Sequence, residues 1–367
     1  MIGAPPPGTP AAGVAEIRPA HVGDVWAIRD LLTLRDGRPW DDGSTAWFMC
    51  ALDPARCLAW IAFDGPRPAA FTNMFLRELA GPTGTLRAGY WANLFVDPDY
   101  RGQLLYPRLP FAMLAEAKRL KLDLIYSANR LRNVSLAHTG LGFRQIGQWR
   151  VLMKLLRPAR LVGKHRGWGP VTALSAPIDG TYGVVRRALQ PRAPAGLEVE
   201  EVDVGCADLT PLVLMMRSAA GDRVAEAWTP EQLRYRYRQT REGGRYVLLA
   251  VRRGGTLVGM LAYRVAERGL GILAGIVMDA VCMPGEEAVL AAALARAESH
   301  LDRQGCELVL FLDGLGTAVK QRLRKQGYHD SPECYDLLIW PKGGLAANPA
   351  LGGLDAWRFG FVDHDAF

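Results

Sequence analysis

The chain has 367 residues, 49% of them hydrophobic, and a formal net charge of +7. That length predicts two domains, each burying its own core, and no window of about 18 apolar residues is present to cross a membrane. The excess charge is local: Arg157, Arg160, Lys164, Arg166, Arg186, Arg187 and Arg192 stand against a single acid, Asp179, between 157 and 192. No nucleic-acid motif accompanies them, so the expected contact is a solvated linker, a phosphorylated ligand or an anionic surface rather than nucleic acid.

Residues 1–15 are rich in Pro, Gly and Ala and lack the basic and apolar regions of a signal peptide, so a disordered lead and a cytoplasmic protein are expected. The six cysteines are scattered without a CxxC pair, which fits buried thiols in a reducing compartment. The histidines are equally dispersed, and no metal site is expected. A first strand at Glu16–Pro19 leads to a helix over Ala20–Leu34, with apolar Val22, Val25, Ile28, Leu31 and Leu32 at helical spacing. A polar loop carries Asp41 and Asp42. A second helix, Ser44–Leu52, stops at Asp53-Pro54. Strands follow at Cys57–Ala62, Ala69–Leu79 and Arg87–Val96, the first two joined at Asp64-Gly65. Next come the turn Asp97-Pro-Asp99, the loop Arg101-Gly-Gln103 and an amphipathic helix to about Arg119. This strand, loop and helix N-terminus form an anion-binding geometry, because free N–H groups and the positive end of the helix dipole converge there. A buried strand at Asp123–Ser127, a helix around Ser135–Thr139 and a closing strand at Gln145–Leu155 complete the first half.

After the basic connection 157–196, in which Thr181–Leu189 is a candidate helix, the order of elements recurs from Leu197 to Trp340. A duplicated fold is expected. Where the second half would carry its anion loop it reads Cys282-Met-Pro-Gly-Glu-Glu287. Two carboxylates at a helix start suit the helix dipole and repel a phosphate. The tail from Trp357 to Phe367 is aromatic, and it is expected to dock on an apolar surface.

Several of these residues carry a resemblance. Val96-Asp-Pro-Asp-Tyr-Arg-Gly102, the helix after it, the strand Leu124-Ile-Tyr126, then Asn129, Ser135 and Gly142-Phe143, resemble the GCN5-related N-acetyltransferase (GNAT) superfamily. Ala46-Trp47, Asp53-Pro54 and Asp64-Gly65 resemble the WKY…NP…DG segment of GNAT-like proteins of polysaccharide biosynthesis. Arg234-Tyr-Arg-Tyr237, Tyr246 and Leu257-Val-Gly259 repeat it. The resemblance implies an α/β fold with a mixed α+β sheet, as two GNAT-like domains in tandem forming a pseudo-dimer. The expected divisions are 16–156 with an acyl-CoA site, a basic linker over 157–196, a non-catalytic domain over 197–341 and a docking tail over 342–367.

The implied activity is acyl transfer from acetyl-CoA or another acyl-CoA to a small amine, such as an amino sugar. In the family the loop reads Arg/Gln-x-x-Gly-x-Gly/Ala and its amides bind the pyrophosphate. Here it begins at Arg101, and the two later glycine positions are Leu104 and Tyr106. Pro107 removes a further donor. The implied cofactor residues are Phe95, Val96, Arg101, Gly102, Gln103, Leu104, Leu105 and Tyr106, with Asn129 and Ser135 at the pantetheine arm. His138 takes the place of the tyrosine that reprotonates the thiolate. Asn93 stands where many relatives carry an acidic base and would orient substrate or water. Candidate bases are Glu78, Asp41, Asp42 and, from the tail, Asp363, His364 and Asp365. Trp47 and Trp91 are candidate substrate aromatics. Two alternatives differ in class: a GNAT-fold scaffold that has lost acyl transfer, and an acyltransferase whose basic linker receives an acidic acyl-carrier protein. A monomer with internal pseudo-symmetry or a homodimer is compatible with either.

Overall fold

The structure is a computed structural model and describes residues 15–82, 84–190, 192–238, 240–241, 244–283, 285–341 and 351–364. The chain forms two compact units. One comprises Met1–Arg77 and Arg87–Ile125, the other Glu78–Leu86 and Tyr126–Phe367.

In the first unit, β1 (Glu16–Pro19) pairs antiparallel with β2 (Cys57–Asp64), and β2 with β3 (Arg67–Gly81), beside β4 (Gly84–Val96). Helix α1 (Val25–Asp36) buries Ile28, Leu31 and Leu32 and ends at Gly37, whose φ of 66° closes the helix in the left-handed region. Asp41 caps the next helix, α2 (Asp42–Phe48), by accepting from the Ser44 amide at 2.8 Å. Helix α3 (Leu105–Arg119) turns Leu105, Leu109, Met113 and Ala117 inward at a spacing of four.

The second unit holds β5 (Leu124–Asn129) from Tyr126 onward, α4 (Arg132–Gly140), β6 (Arg144–Leu155), α5 (Pro158–Arg166), α6 (Gly169–Leu189), β7 (Leu197–Glu201), α7 (Thr210–Ala220), β8 (Ala225–Glu226) and α8 (Pro230–Arg238). A short ladder of β9 (Thr240–Arg241) and β10 (Gly244–Arg245) precedes β11 (Val247–Arg253), β12 (Thr256–Arg268) and β13 (Ile272–Cys282). Then come α9 (Leu290–Arg303), β14 (Leu308–Leu312), α10 (Thr317–Lys325), β15 (His329–Pro341) and the tail with α11 (Phe361–His364). The tip of the β3–β4 hairpin also belongs here: Leu79 and Ala80 pair with Glu226 and Ala225 of β8.

Strand order in this unit is β5-β15-β6-β14-β13-β12-β11-β7. The last strands of the two sequence halves are therefore exchanged. Strand β6, which closes the first half, pairs antiparallel with β14 of the second, and β15, which closes the second, lies between β5 and β6. This exchange is why the compact units do not follow the expected division at 157–196.

The basic connection is helical well beyond the candidate Thr181–Leu189. It is a helical hairpin, α5 followed by α6, and its inward cations are paired. Arg157 and Arg186 bind Asp302, Arg160 and Lys164 bind Glu307, and Arg186 reaches Glu298. Glu298 is the centre of a buried polar knot. It accepts from Lys154 at 2.7 Å and from the Tyr328 hydroxyl at 3.1 Å, and burial pushes the Tyr328 hydroxyl pKa well up. Cys57, Cys282 and Cys306 are buried as expected, with burial pushing the latter two thiols up to about 12, whereas Cys206 is exposed.

Replacing Glu298 by Ala leaves Lys154 and Arg186 buried without their shared anion. That substitution is expected to cost about 3 kcal/mol of unfolding free energy in a denaturant titration. A loss under about 1 kcal/mol would show that the knot contributes little.

Candidate active site

The organising loop is built on a pinned turn. Asp97 is buried and accepts from the Asp99 amide at 3.0 Å. Arg67, at the start of β3, binds Asp97 at 2.8 Å and Asp99 at 2.7 Å, and its guanidinium lies over the Tyr100 ring. These hydrogen bonds to Asp99 and Asp97 raise the already high Arg67 pKa. The Tyr100 hydroxyl donates to Asp64 at 3.1 Å. Asp64-Gly65 and Asp97-Pro-Asp-Tyr, far apart in sequence, are thus one local structure, which fixes where β4 ends and the loop begins.

Beyond the turn Arg101 is exposed, Gly102 has a φ of 97°, and α3 begins at Leu105. Leu104 sits at φ 58°, ψ 20°, the left-handed conformation that glycine adopts without cost. For leucine that conformation costs on the order of 1 kcal/mol. Its side chain is 70% exposed, so burial does not offset the strain. The backbone here is one that glycine favours, held by a leucine. The last five residues of β4, Ala92–Val96, including Phe95, are half-buried.

A polar network lies at Asn93 on β4. The Arg35 guanidinium donates to Asn93 Oδ1, and Asn93 Nδ2 donates to Asn73 Oδ1 at 2.7 Å. The Thr72 hydroxyl donates to the Asn93 carbonyl at 2.7 Å and accepts from Trp91 Nε1 at 2.9 Å. Asp36 holds Arg35 at 2.6 Å and accepts from Trp40 Nε1 at 2.9 Å. Burial pushes the Asp36 carboxyl up, but the Arg35 and Trp40 hydrogen bonds outweigh it and leave the pKa lowered. Sequence reasoning picked Asn93 and missed Arg35, Asn73 and Asp36. The one available signal was the Arg35-Asp36 pair at a helix end just before Gly37.

Several expected site residues are placed otherwise. Trp47 and Trp91 are buried, so they pack rather than present a ring to substrate. Asp41 caps α2 and Asp42 pairs with Arg29 at 2.9 Å, so both have local roles. In the second unit Glu78 is exposed, and its carbonyl accepts from Ala227. The Ser135 hydroxyl is buried and donates to Asp336 at 2.6 Å, tying α4 to β15. His138 is buried too. Its Nδ1 donates to the Val134 carbonyl one turn back at 2.9 Å, its ring meets the edge of Phe143, and burial lowers its pKa. It is a neutral packing residue at pH 7, not an exposed acid. Asn129 differs: Nδ2 is buried with no hydrogen-bond partner among the described residues, while Oδ1 accepts from Ser127 at 2.9 Å.

The described part of the tail packs within its own unit, and its polar groups have local partners. Phe359 stacks on Trp149 with centroids 4.6 Å apart, and Trp357 lies 5.6 Å from Tyr126. The parallel pairing of β13 with β14 runs only to Val277 and Phe311, and the tail enters where it stops. The Phe359 amide donates to the Gly314 carbonyl at 2.8 Å, and a Cβ at Gly360 would stand 2.8 Å from the Met278 carbonyl. Arg358 is buried and donates to Asp279. Burial lowers the Arg358 pKa, but Asp279 and Asp363 outweigh it and leave it raised. Asp279 stands three residues before the end of β13, as Asn93 stands three before the end of β4. The second half thus has an acid at the corresponding place, bound by a guanidinium from the tail. Asp363 is buried and accepts from the Gly360 amide at 2.7 Å, so it braces its own turn, and Tyr335 meets the His364 ring. Asp365 and Phe367 lie outside the described residues.

A cavity of about 490 Å³ lies beside the tail, lined by Arg223, Cys282, Glu287, Gly314, Lys320 and Arg358 among others. Three of its cations are committed: Arg223 to the carbonyls of Ala219, Ala220 and Leu315, Lys320 to Asp313, and Arg358 to Asp279. Glu286 forms a two-pronged pair with Arg253.

No family model matches the chain, and no curated protein matches it by sequence. Solved structures do match in fold. A GCN5-related N-acetyltransferase from Anabaena variabilis superposes with a TM-score of 0.61 at 10% identity, over 88% of this chain and 72% of that one. A tandem GNAT protein from the clavulanic acid biosynthesis pathway gives 0.60 at 14% identity, over 89% of this chain and 98% of that one. Saccharomyces cerevisiae N-myristoyltransferase with bound myristoyl-CoA gives 0.63 at 10% identity, over 90% and 84%. The fold is therefore the GNAT fold in tandem.

The lowered His138 pKa sets a pH dependence. Below the ordinary value of 6.5 the unfolded chain takes up this proton more readily than the folded one, so stability falls as pH drops through that region. His138→Asn is expected to reduce that acid-side loss relative to the parent, read from denaturant midpoints between about pH 5 and 7. Parallel curves for the two proteins would contradict a buried, neutral His138.

Proposed function

We propose that this tandem GNAT-fold chain is an acyl-CoA-dependent N-acyltransferase whose cofactor site lies on the first unit, at Arg101–Tyr106. The observation that carries this reading is Leu104. A leucine held exposed at positive φ, in the loop between a pinned turn and a helix N-terminus, is backbone strain of the kind that persists at working sites. The amides of Gly102 and of Leu104 to Tyr106, at the first turn of α3, supply the donors for a pyrophosphate, the Gln103 amide being taken by the Tyr100 carbonyl, and Arg101 supplies a charge. Pro107 removes one donor, so fewer amides remain than in a glycine-rich loop.

The acyl transfer needs little more. The amine nitrogen attacks the thioester carbonyl carbon, the C–S bond breaks, and CoA leaves as the thiolate. An amide N–H at the half-buried end of β4, near Phe95 and Val96, stabilises the oxyanion. Asn93, oriented by Arg35 and Asn73, binds the acceptor or a water. The carboxylate of this network, Asp36, is tied to Arg35 and Trp40 with its pKa lowered, so the amine proton leaves through water rather than directly to a side chain. The second half is non-catalytic in this reading: carboxylates stand at its helix start, and its strand acid is neutralised by Arg358. A small amine such as an amino sugar is the acceptor class. The inward pairing of Arg157, Arg160, Lys164 and Arg186 disfavours the carrier-protein alternative.

Calorimetric titration with acetyl-CoA and desulfo-CoA tests this directly. Binding is expected in the parent and is expected to weaken by roughly tenfold or more in Arg101→Glu. Leu104→Gly, which relieves the strain and clears the approach, is expected to stabilise the fold by about 1 kcal/mol and to tighten binding. Absence of binding at millimolar ligand would favour a GNAT-fold scaffold instead.

A further inference from the structure

Helix α6 is built inside out. Its inward residues are Ser175, Asp179, Gly183 and Arg186, polar or without a side chain. Asp179 accepts from the Ala159 and Arg160 amides at the start of α5, and Arg186 reaches Glu298 and Asp302. Its outward residues are the apolar ones: Leu174 is 72% exposed, Ile178 60%, Val184 61%, Val185 50% and Leu189 78%. Leu174, Ile178, Val185 and Leu189 recur at helical spacing and form one stripe. Val162 on α5 and Trp168 at the corner of the hairpin are each about half exposed beside it. A helix in water normally has the reverse polarity, and an apolar face of this extent marks a surface that something covers.

We infer that the α5–α6 hairpin lies on an anionic lipid surface, with the stripe of α6 set into the headgroup boundary. Charge selects this occupant. The exposed residues around the stripe include Arg166 and Arg192, with His165, and Arg187, which also pairs with Asp302 at 3.5 Å; the one acid in 157–192, Asp179, is buried. A second copy docking the same face by two-fold symmetry would set one cationic rim against another with no exposed acid between them, which is repulsive. Anionic headgroups neutralise them, at roughly 1 kcal/mol for each cation near the surface. Trp168 at the corner suits the interface, where an aromatic ring rests at headgroup level. The helix lies on the surface and does not cross it: no described helix is long and apolar enough to span a membrane. Pro177, Gly180 and Gly183 within α6 lower its apolar content further.

The test is co-sedimentation of the full chain with vesicles of phosphatidylcholine alone or with about 30% phosphatidylglycerol added. Binding is expected on the anionic vesicles, roughly tenfold or more above the neutral ones, and is expected to fall in high salt. The double variant Ile178→Asp, Leu189→Asp is expected to lose binding while keeping the parent melting temperature, because both residues are exposed. Arg166→Glu with Arg192→Glu is expected to weaken binding to anionic vesicles alone. No binding to anionic vesicles, equal binding to neutral ones, or binding unchanged by the aspartates would overturn the inference. So would a concentration-dependent dimer, seen by sedimentation velocity without lipid, that Ile178→Asp dissolves.

Discussion

The antiparallel pairing of β6 with β15 is the constraint on which the rest of the second unit depends. From His329 opposite Met153 to Ile339 opposite Arg144, the final strands of the two sequence halves run side by side. Strand β6 also pairs antiparallel with β14, so a strand from the first half completes the sheet of the second. Adjacent strands lie about 4.8 Å apart, and β14, β13, β12 and β11 separate β6 from β7. The chain leaving β6 must therefore travel about 24 Å before it can start the second half. The α5–α6 hairpin makes that journey. Its cations meet Glu298 and Asp302 on α9 and Glu307 before β14 because the route takes it past them. The concentration of positive charge in the sequence is largely the signature of that crossing.

The two halves have used the same framework differently. At the end of β4 an asparagine stands in place of an acid, with Arg35 turned onto Asn93 and held by Asp36. Near the end of β13 an acid is buried, its partner is an arginine from the tail, and the tail occupies the place where β13 and β14 part. The aromatic stack of Trp149 on Phe359 and the tight approach at Gly360 hold it there.

Much of this fold was legible. Element order, the repeat and the turn at Asp97 follow from patterns within 10 or so residues, where helical and strand periodicities differ sharply. The exchange of β6 and β15 was not legible, because a strand shows the same alternation whichever neighbour it pairs with. The hairpin was missed beyond Thr181–Leu189 because its inward face is polar and its outward face apolar, so the usual inference from periodicity to burial inverts. Glycines and prolines in α6 also argued against a helix. At the site, the turn residues were readable because they act locally. The Arg35–Asn93 contact joins residues 58 apart and has no local pattern. His138 matched a position in a motif, but its role depends on burial, which the motif does not encode.

The central claim is that the backbone of Arg101–Tyr106 holds the diphosphate of an acyl-CoA. Hydrogen–deuterium exchange, with and without acetyl-CoA, tests it most directly, because it reads those amides themselves. The account predicts slowed exchange over 102–106 and in the first turn of α3, with the segment 285–290 at the equivalent place in the second half unchanged. Protection confined to 285–290, or none in either segment at saturating acetyl-CoA, would contradict it.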